Sequence, residues 1–302
     1  MTAFNRYLSI RIPELGIEVG GAQRYQGRKV VRPLKITATC SLSAESTPND
    51  AQVTIYNLSE QSAKKIFQND KTAEIWAGYS PEGDEENIGL MFLGKIKNIT
   101  SSVQGVDRVW VIDIGDGAQA YKGASVVDKS DKGDLEKSAK LAADAMKNQY
   151  GIETGTIKLG KKITTGKTIT YNGDYSRDVL DDVCLSTDSK WNITHGILNV
   201  TPKNEVVKDT GLVLTPQTGL IGYPKITDDG VEIETIVIPN VRPDMAITVQ
   251  ARYGSGTYQI NQIDMQLSNS DGDHKFTMRY KNMDDKKTIS PTQTGRQSNV
   301  NC

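Results

Sequence analysis

The sequence predicts an α+β protein, predominantly β, with two β-domains flanking a small α+β insert. Three observations carry this prediction. Side chains alternate between apolar and polar along segments from Leu34 to Gly115, a helical period takes over from Asp134 to Tyr150, and short alternating segments return after Gly211. The expected boundaries are 1–121 for the first β-domain, 122–205 for the insert, 206–283 for the second β-domain and 284–302 for a polar tail.

The first β-domain opens with Leu34 to Leu42 and Ala51 to Tyr56, whose period of two places one face of each strand on a core. Ser46-Thr47-Pro48-Asn49-Asp50 between them is a turn, so the two strands form a hairpin or lie side by side. A short helix follows, with Ser59 as its cap, Glu60 at the positive helix end, and Ile66 and Phe67 directed onto the sheet. Strands resume at Thr72 to Tyr79, Gly89 to Asn98 and Arg108 to Gly115, around a charged loop at Asp84-Glu85-Glu86.

In the insert, Leu135, Ala139, Ala142, Ala143, Met146 and Tyr150 form one helical stripe, capped by Asp134 or a neighbour. A second helix opens at Ser176, whose hydroxyl is placed to cap it, and buries Val179, Leu180, Val183 and Cys184 before ending ahead of Lys190. His195-Gly196 then joins two strands in a tight hairpin, which sets Ile193 opposite Leu198 and Trp191 opposite Val200, with Asn192 and Asn199 on the other face. The second β-domain comprises Gly219 to Pro224, Gly230 to Ile238, Met245 to Arg252, Gly256 to Leu267 and His274 to Tyr280. The tail from Met283 lacks periodicity and buries too little to order itself without a partner.

Composition narrows the function. The chain of 302 residues carries 36 Lys and Arg against 37 Asp and Glu, so no global basic field draws it to nucleic acid or an anionic membrane. No segment approaches the roughly 20 apolar residues that span a bilayer, and the start lacks a secretory signal, so the expectation is cytoplasmic synthesis without membrane insertion. Cys40, Cys184 and Cys302 are widely spaced and read as reduced thiols, and only His195 and His274 are available for imidazole chemistry.

Motifs with chemical potential favour bland readings. Gly155 to Thr168 approaches a phosphate-binding loop, but Lys162 stands where a hydroxyl is needed after Gly160-Lys161, and Lys161 stands where Gly166-Lys167-Thr168 needs its upstream glycine. A basic hairpin is expected there instead. The acid run is a solvated loop tip, and Asp271-Gly272-Asp273 lacks the glutamate that closes a calcium loop. Tyr253-Gly254-Ser255-Gly256 is not a nucleophile elbow, His195 is expected as an exposed turn residue, and Trp76, Trp110 and Trp191 read as core or interface anchors. No catalytic, cofactor-binding or metal residue is assigned.

Asn49 to Ser59 followed by a short helix, then Ala77-Gly78-Tyr79 and Phe92-Leu93-Gly94-Lys95-Ile96, resembles the opening domain of tail hub proteins of long-tailed bacteriophages. Asp116-Gly117 after a strand, the helical insert, and Thr218 to Pro224 leading to Ile238-Pro239-Asn240 extend the resemblance over roughly residues 5–283. It implies two tail-tube-like β-domains and a homotrimer with pseudo-six-fold symmetry, which joins a six-fold tail tube to a three-fold central spike in the baseplate of a virion. The implied partners are the tail tube protein, the spike protein, a tape-measure protein and other baseplate proteins. DNA would pass without specific binding, through a lumen expected to be neutral or acidic. The resemblance further implies that Gly78, Gly94, Gly219 and Gly222 serve backbone geometry, and that no cofactor or enzymatic activity is present. A β-rich receptor- or carbohydrate-binding tail module is the alternative, and a hydrolase among the Asp and Glu residues is a third reading.

Overall fold

A computed structural model describes residues 5–22, 24–26, 29–68, 70–80, 87–203, 205–206, 208–227 and 230–281. The acid run at 84–86, the polar tail and Cys302 lie outside these residues. Strands β1 (Arg6–Ile12) and β2 (Ile17–Gly21) form an opening hairpin, and β3 (Arg24–Gln26) and β4 (Lys29–Val31) a small ribbon. These four strands were not predicted from the sequence, although Leu8, Ile10 and Ile12 alternate with Ser9 and Arg11 along β1; Tyr7 and Ser9 on its other face are buried as well.

The predicted hairpin is formed by β5 (Ile36–Ser43) and β6 (Asn49–Tyr56). Helix α1 (Glu60–Ile66) follows, with the Ser59 hydroxyl accepting the Ser62 N–H at 3.1 Å, and Ile66 and Phe67 buried. Next come β7 (Thr72–Tyr79), β8 (Asn87–Gln104) and β9 (Asp107–Asp116). Strand β8 outruns its expected end at Asn98 because Thr100, Ser101 and Ser102 are solvated on both faces of a projecting arm, which leaves no apolar alternation to read.

Helix α2 (Ala118–Gly123) and β10 (Ser125–Ser130) lead to α3 (Leu135–Tyr150), where Asp134 caps the N-terminus by accepting the Glu136 N–H at 3.0 Å. Strands β11 (Glu153–Ile157) and β12 (Ile169–Tyr175) follow, then α4 (Ser176–Thr187) and the hairpin of β13 (Ser189–Thr194) with β14 (Ile197–Pro202). The hairpin register is the predicted one, including Trp191 opposite Val200 and Ile193 opposite Leu198.

Two expectations in the insert are corrected. No basic hairpin spans Gly155 to Thr168: β11 pairs in parallel with β14, whereas β12 pairs with β10, so the intervening lysines connect two different sheets. Ser176 does not cap α4; it is the first helical residue, Tyr175 takes the cap position, and the Ser176 hydroxyl is buried without a partner while its N–H donates to the Ala124 carbonyl.

The last third supplies β15 (Lys208–Leu214), β16 (Leu220–Thr227), β17 (Gly230–Ile236), β18 (Met245–Val249), β19 (Gly256–Ser268) and β20 (Lys275–Lys281). Among the described residues a 13-stranded sheet runs in the order β16-β17-β20-β19-β5-β6-β9-β8-β7-β1-β2, with β18 and β15 branching from β19. Both chain halves thus contribute to one sheet, joined where β5 pairs antiparallel with β19. One hydrophobic cluster runs through both halves, from Leu8 to Tyr280, and a second, from Ala120 to Val200, belongs to the insert.

Two glycines called for by the resemblance sit where a side chain cannot. A Cβ at Gly78, whose φ is +153°, would lie 1.9 Å from the Asn87 carbonyl oxygen, and one at Gly94 would lie 2.6 Å from that of Gly115. Gly219 and Gly222 also have positive φ.

Candidate functional surfaces

The hairpin of β13 and β14 is fastened to both halves of the large sheet. Along β9 the even-numbered residues Trp110, Ile112 and Ile114 point into the core, and the same period carries Asp116 inward at 1% exposure. Its carboxylate accepts the N–H of His195 at 2.5 Å and of Gly196 at 2.8 Å, so the hairpin tip rests on one buried side chain. Asn49 adds a bond to the Ile193 carbonyl at 2.8 Å. On the side of the last third, Asp244 accepts from Asn192 at 3.0 Å, pairs with Lys190 and is reached by Gln259 at 3.3 Å.

Burial pushes Asp116 up to about 7, opposed by the hydrogen bonds from Gly196, His195 and Asn49. His195 is not an exposed turn residue, which corrects the expectation. It takes φ +54° in the turn but is only 8% exposed, because the turn is pressed into the sheet where its Nε2 meets the Met91 carbonyl at 3.2 Å. Burial, helped by the nearby Arg242, lowers it to about 4. His274 is also held at about 4, chiefly by burial; its Nδ1 accepts the Ser268 N–H at 3.2 Å and its Nε2 meets the Gly78 carbonyl at 3.1 Å. Both imidazoles bond to backbone and are removed from solvent.

The opposite face of the sheet is open and polar. A shallow depression of about 500 Å³ crosses its middle, lined by Thr39, Ser41, Asp50, Gln52, Asn98 and Asp113 among others. Side chains link laterally from strand to strand. Asp50 pairs with Lys97 at 2.5 Å; Asp113 accepts from Gln52 at 2.9 Å; Asp264 accepts from Ser41 at 2.7 Å and pairs with Arg279 at 2.6 Å. Arg279 also reaches Glu232 at 3.2 Å, and Lys275 reaches Glu234 at the same distance. Such exposed pairs contribute at most about 1 kcal/mol each to stability, but they hold long side chains against the sheet and set a carboxylate beside each of these cations.

The remaining sequence candidates are accounted for structurally. Trp110 and Trp191 are buried, while Trp76 is partly buried under the Arg11 guanidinium at 4.5 Å. Cys40 and Cys184 are buried free thiols, and burial pushes Cys184 up to about 12. Asp271 pairs with Lys35 at 2.9 Å, and that bond leads the causes holding its carboxyl down at about 2. Among the described residues no cluster of three or more His, Cys, Asp or Glu side chains could hold a metal, and no helix is long and apolar enough to cross a membrane.

The fold, with a wide sheet built from both chain ends and an α+β insert, is shared with solved tail proteins, one of them from a prophage. The chain is similar to the 43 kDa tail protein of prophage MuSo2 from Shewanella oneidensis, with 9% identity and a TM-score of 0.61 over 92% of this chain and 98% of that one. It is equally similar to a tail protein from Neisseria meningitidis MC58, with 11% identity, TM-score 0.61, and 92% and 97% of the two chains covered. An Escherichia coli component of the type VI secretion system, itself structurally similar to the T4 bacteriophage tail proteins gp27 and gp5, aligns with 10% identity and a TM-score of 0.57 over 87% and 78% of the chains. No family model and no curated protein sequence matches the chain.

Proposed function

We propose that this chain is a structural hub of a phage tail baseplate and not an enzyme. Three copies form a ring, in which 1–121 and 206–283 of each act as tube-like modules and 122–205 as an insert. The ring joins a six-fold tail tube to a three-fold central spike and leaves a channel for DNA, with tape-measure and other baseplate proteins as further neighbours. The observation that carries this reading is the near end-to-end fold similarity to two phage tail proteins. The open polar face supports its channel: Lys97, Lys275 and Arg279 are already engaged by carboxylates, so they offer little to passing phosphates.

Negative-stain class averages of the purified protein, alone and with its spike or tube protein, test the proposal. A three-fold ring with six similar lobes around a pore is expected. Compact single particles under every condition would overturn it.

One observation favours the second reading. Tyr223 and Tyr253, 65% and 63% exposed, meet edge to face at 6.5 Å, with the Arg252 guanidinium 5.4 Å over the Tyr253 ring, and so put exposed aromatic surface on the molecule. Glycan-array binding lost in Tyr253→Ala would favour a carbohydrate-binding module.

A further inference from the structure

The insert carries two exposed patches of opposite charge, each with an exposed apolar side chain nearby. On α4, Asp178, Asp181, Asp182 and Leu185 fall at i, i+3, i+4 and i+7, on one stripe of the helix. All four are exposed, with Leu185, 76% exposed, at the end of the stripe; Asp178 meets Arg177 at 3.1 Å and Asp181 accepts from the Trp191 indole at 2.7 Å.

The second patch lies around the N-terminus of α3. Residues Thr154 to Gly173 include four lysines and no acidic residue. Lys158 and Lys161 pair with Glu205 and Asp188, while the backbone brings the stretch with Lys162 and Lys167 to the end of β10: Gly166 donates to the Lys132 carbonyl at 2.8 Å, Thr165 to Gly133 at 3.0 Å, Leu135 to Ile163 at 3.2 Å, and Lys129 lies opposite Thr170. Lys129, Lys132, Lys162 and Lys167 are thereby neighbours, all exposed, and none has a carboxylate partner among the described residues. The local acids are otherwise engaged or turned to other work: Asp131 pairs with Lys137 at 3.2 Å and Asp134 caps α3. Val127, 77% exposed, stands two residues before Lys129 on β10.

Exposed aliphatic side chains beside exposed charges have the composition of a small interface, and here one chain supplies both complementary halves. We propose that the lysine patch of one insert docks on the acidic stripe of α4 in the next copy. The contact uses two different patches, so it is head-to-tail, the kind of contact that a closed ring of copies repeats at every interface. It rests on the ring reading above and adds to it the surface through which neighbouring inserts recognise each other.

Charge reversal tests this in the full chain, read by sedimentation velocity across a protein and salt series. Lys132→Glu with Lys167→Glu is expected to weaken self-association about tenfold or more and to flatten its salt dependence. Asp178→Lys with Asp182→Lys is expected to do the same, and the chain carrying all four changes to recover association. All the substituted side chains are exposed, and circular dichroism checks that each variant is folded. A wild-type trimer that survives both reversals unchanged would overturn the insert contact and leave the ring standing. Salt-sensitive association that reversal removes but that never gives a three-fold ring would keep the contact and overturn the ring. Absence of association at any concentration would overturn both.

Discussion

At the scale of single residues, the most consequential side chain is Asp116. Removing its carboxylate in Asp116→Ala leaves two buried N–H groups of the hairpin turn without acceptors, at a cost of about 1–3 kcal/mol. Urea denaturation should show a midpoint lowered accordingly, with less loss in Asp116→Asn, which keeps one acceptor oxygen. The same residue shapes the response to pH. Asp116 is raised from 3.8 to about 7, so its contribution is full below pH 3.8 and lost as pH rises through about 7. His195 and His274 are lowered from 6.5 to about 4, so theirs is full above pH 6.5 and lost as pH falls through about 4. Between pH 4 and 6.5 the two histidines outweigh Asp116, while Asp244, also raised by burial, opposes them at the acid end, and stability should rise with pH. Urea midpoints across this window should climb more steeply in Asp116→Asn and flatten in His274→Gln.

At the scale of elements, backbone geometry can be tested by paired glycine substitutions. Gly78→Ala drives a methyl group into the Asn87 carbonyl of the neighbouring strand, whereas Gly105→Ala at the tip of the projecting arm meets open space and suffers only its φ of +64°. Thermal melts should show a loss of about 1 kcal/mol for Gly105→Ala and considerably more for Gly78→Ala. These elements also mark what the sequence could disclose. Segments with one wet face, such as β5, β6, β7 and the hairpin of β13 and β14, announce themselves by period, and the hairpin even by register. Strand β1 carries the same period, with Leu8, Ile10 and Ile12 alternating with Ser9 and Arg11, and was overlooked, whereas the arm of β8 is wet on both faces and silent to the test. Of the buried junction, Asp116 was within reach, since it continues the inward period of Trp110, Ile112 and Ile114. His195 was not, because a turn sequence specifies the local bend and says nothing of what the bend is pressed against. The open polar face, likewise, depends on strands brought together from both ends of the chain.

At the scale of the whole molecule, the joining of both halves in one sheet sets the unit of folding. A fragment ending at residue 121 would leave β5 without β19 and the shared cluster without Ile260, Ile263, Met265 and Phe276. Expressed alone, this fragment should be insoluble or form non-native oligomers, as judged by size exclusion after refolding, because a long unpaired strand above an exposed apolar face recruits other chains. Recovery of a soluble, cooperatively unfolding monomer would show that the first module is autonomous.

The pairing of β5 with β19 also imposes a delay during synthesis. Ser43 lies opposite Gln262, more than 200 residues downstream. At roughly 5–20 residues per second, a ribosome needs about 10–45 s to supply the partner after β5 has emerged. Throughout that interval the nascent first half exists with its sheet incomplete and the edge of β5 open to other chains. Pairings so distant in sequence are slow to find, and formation of the native sheet is expected to wait until β19 has been made.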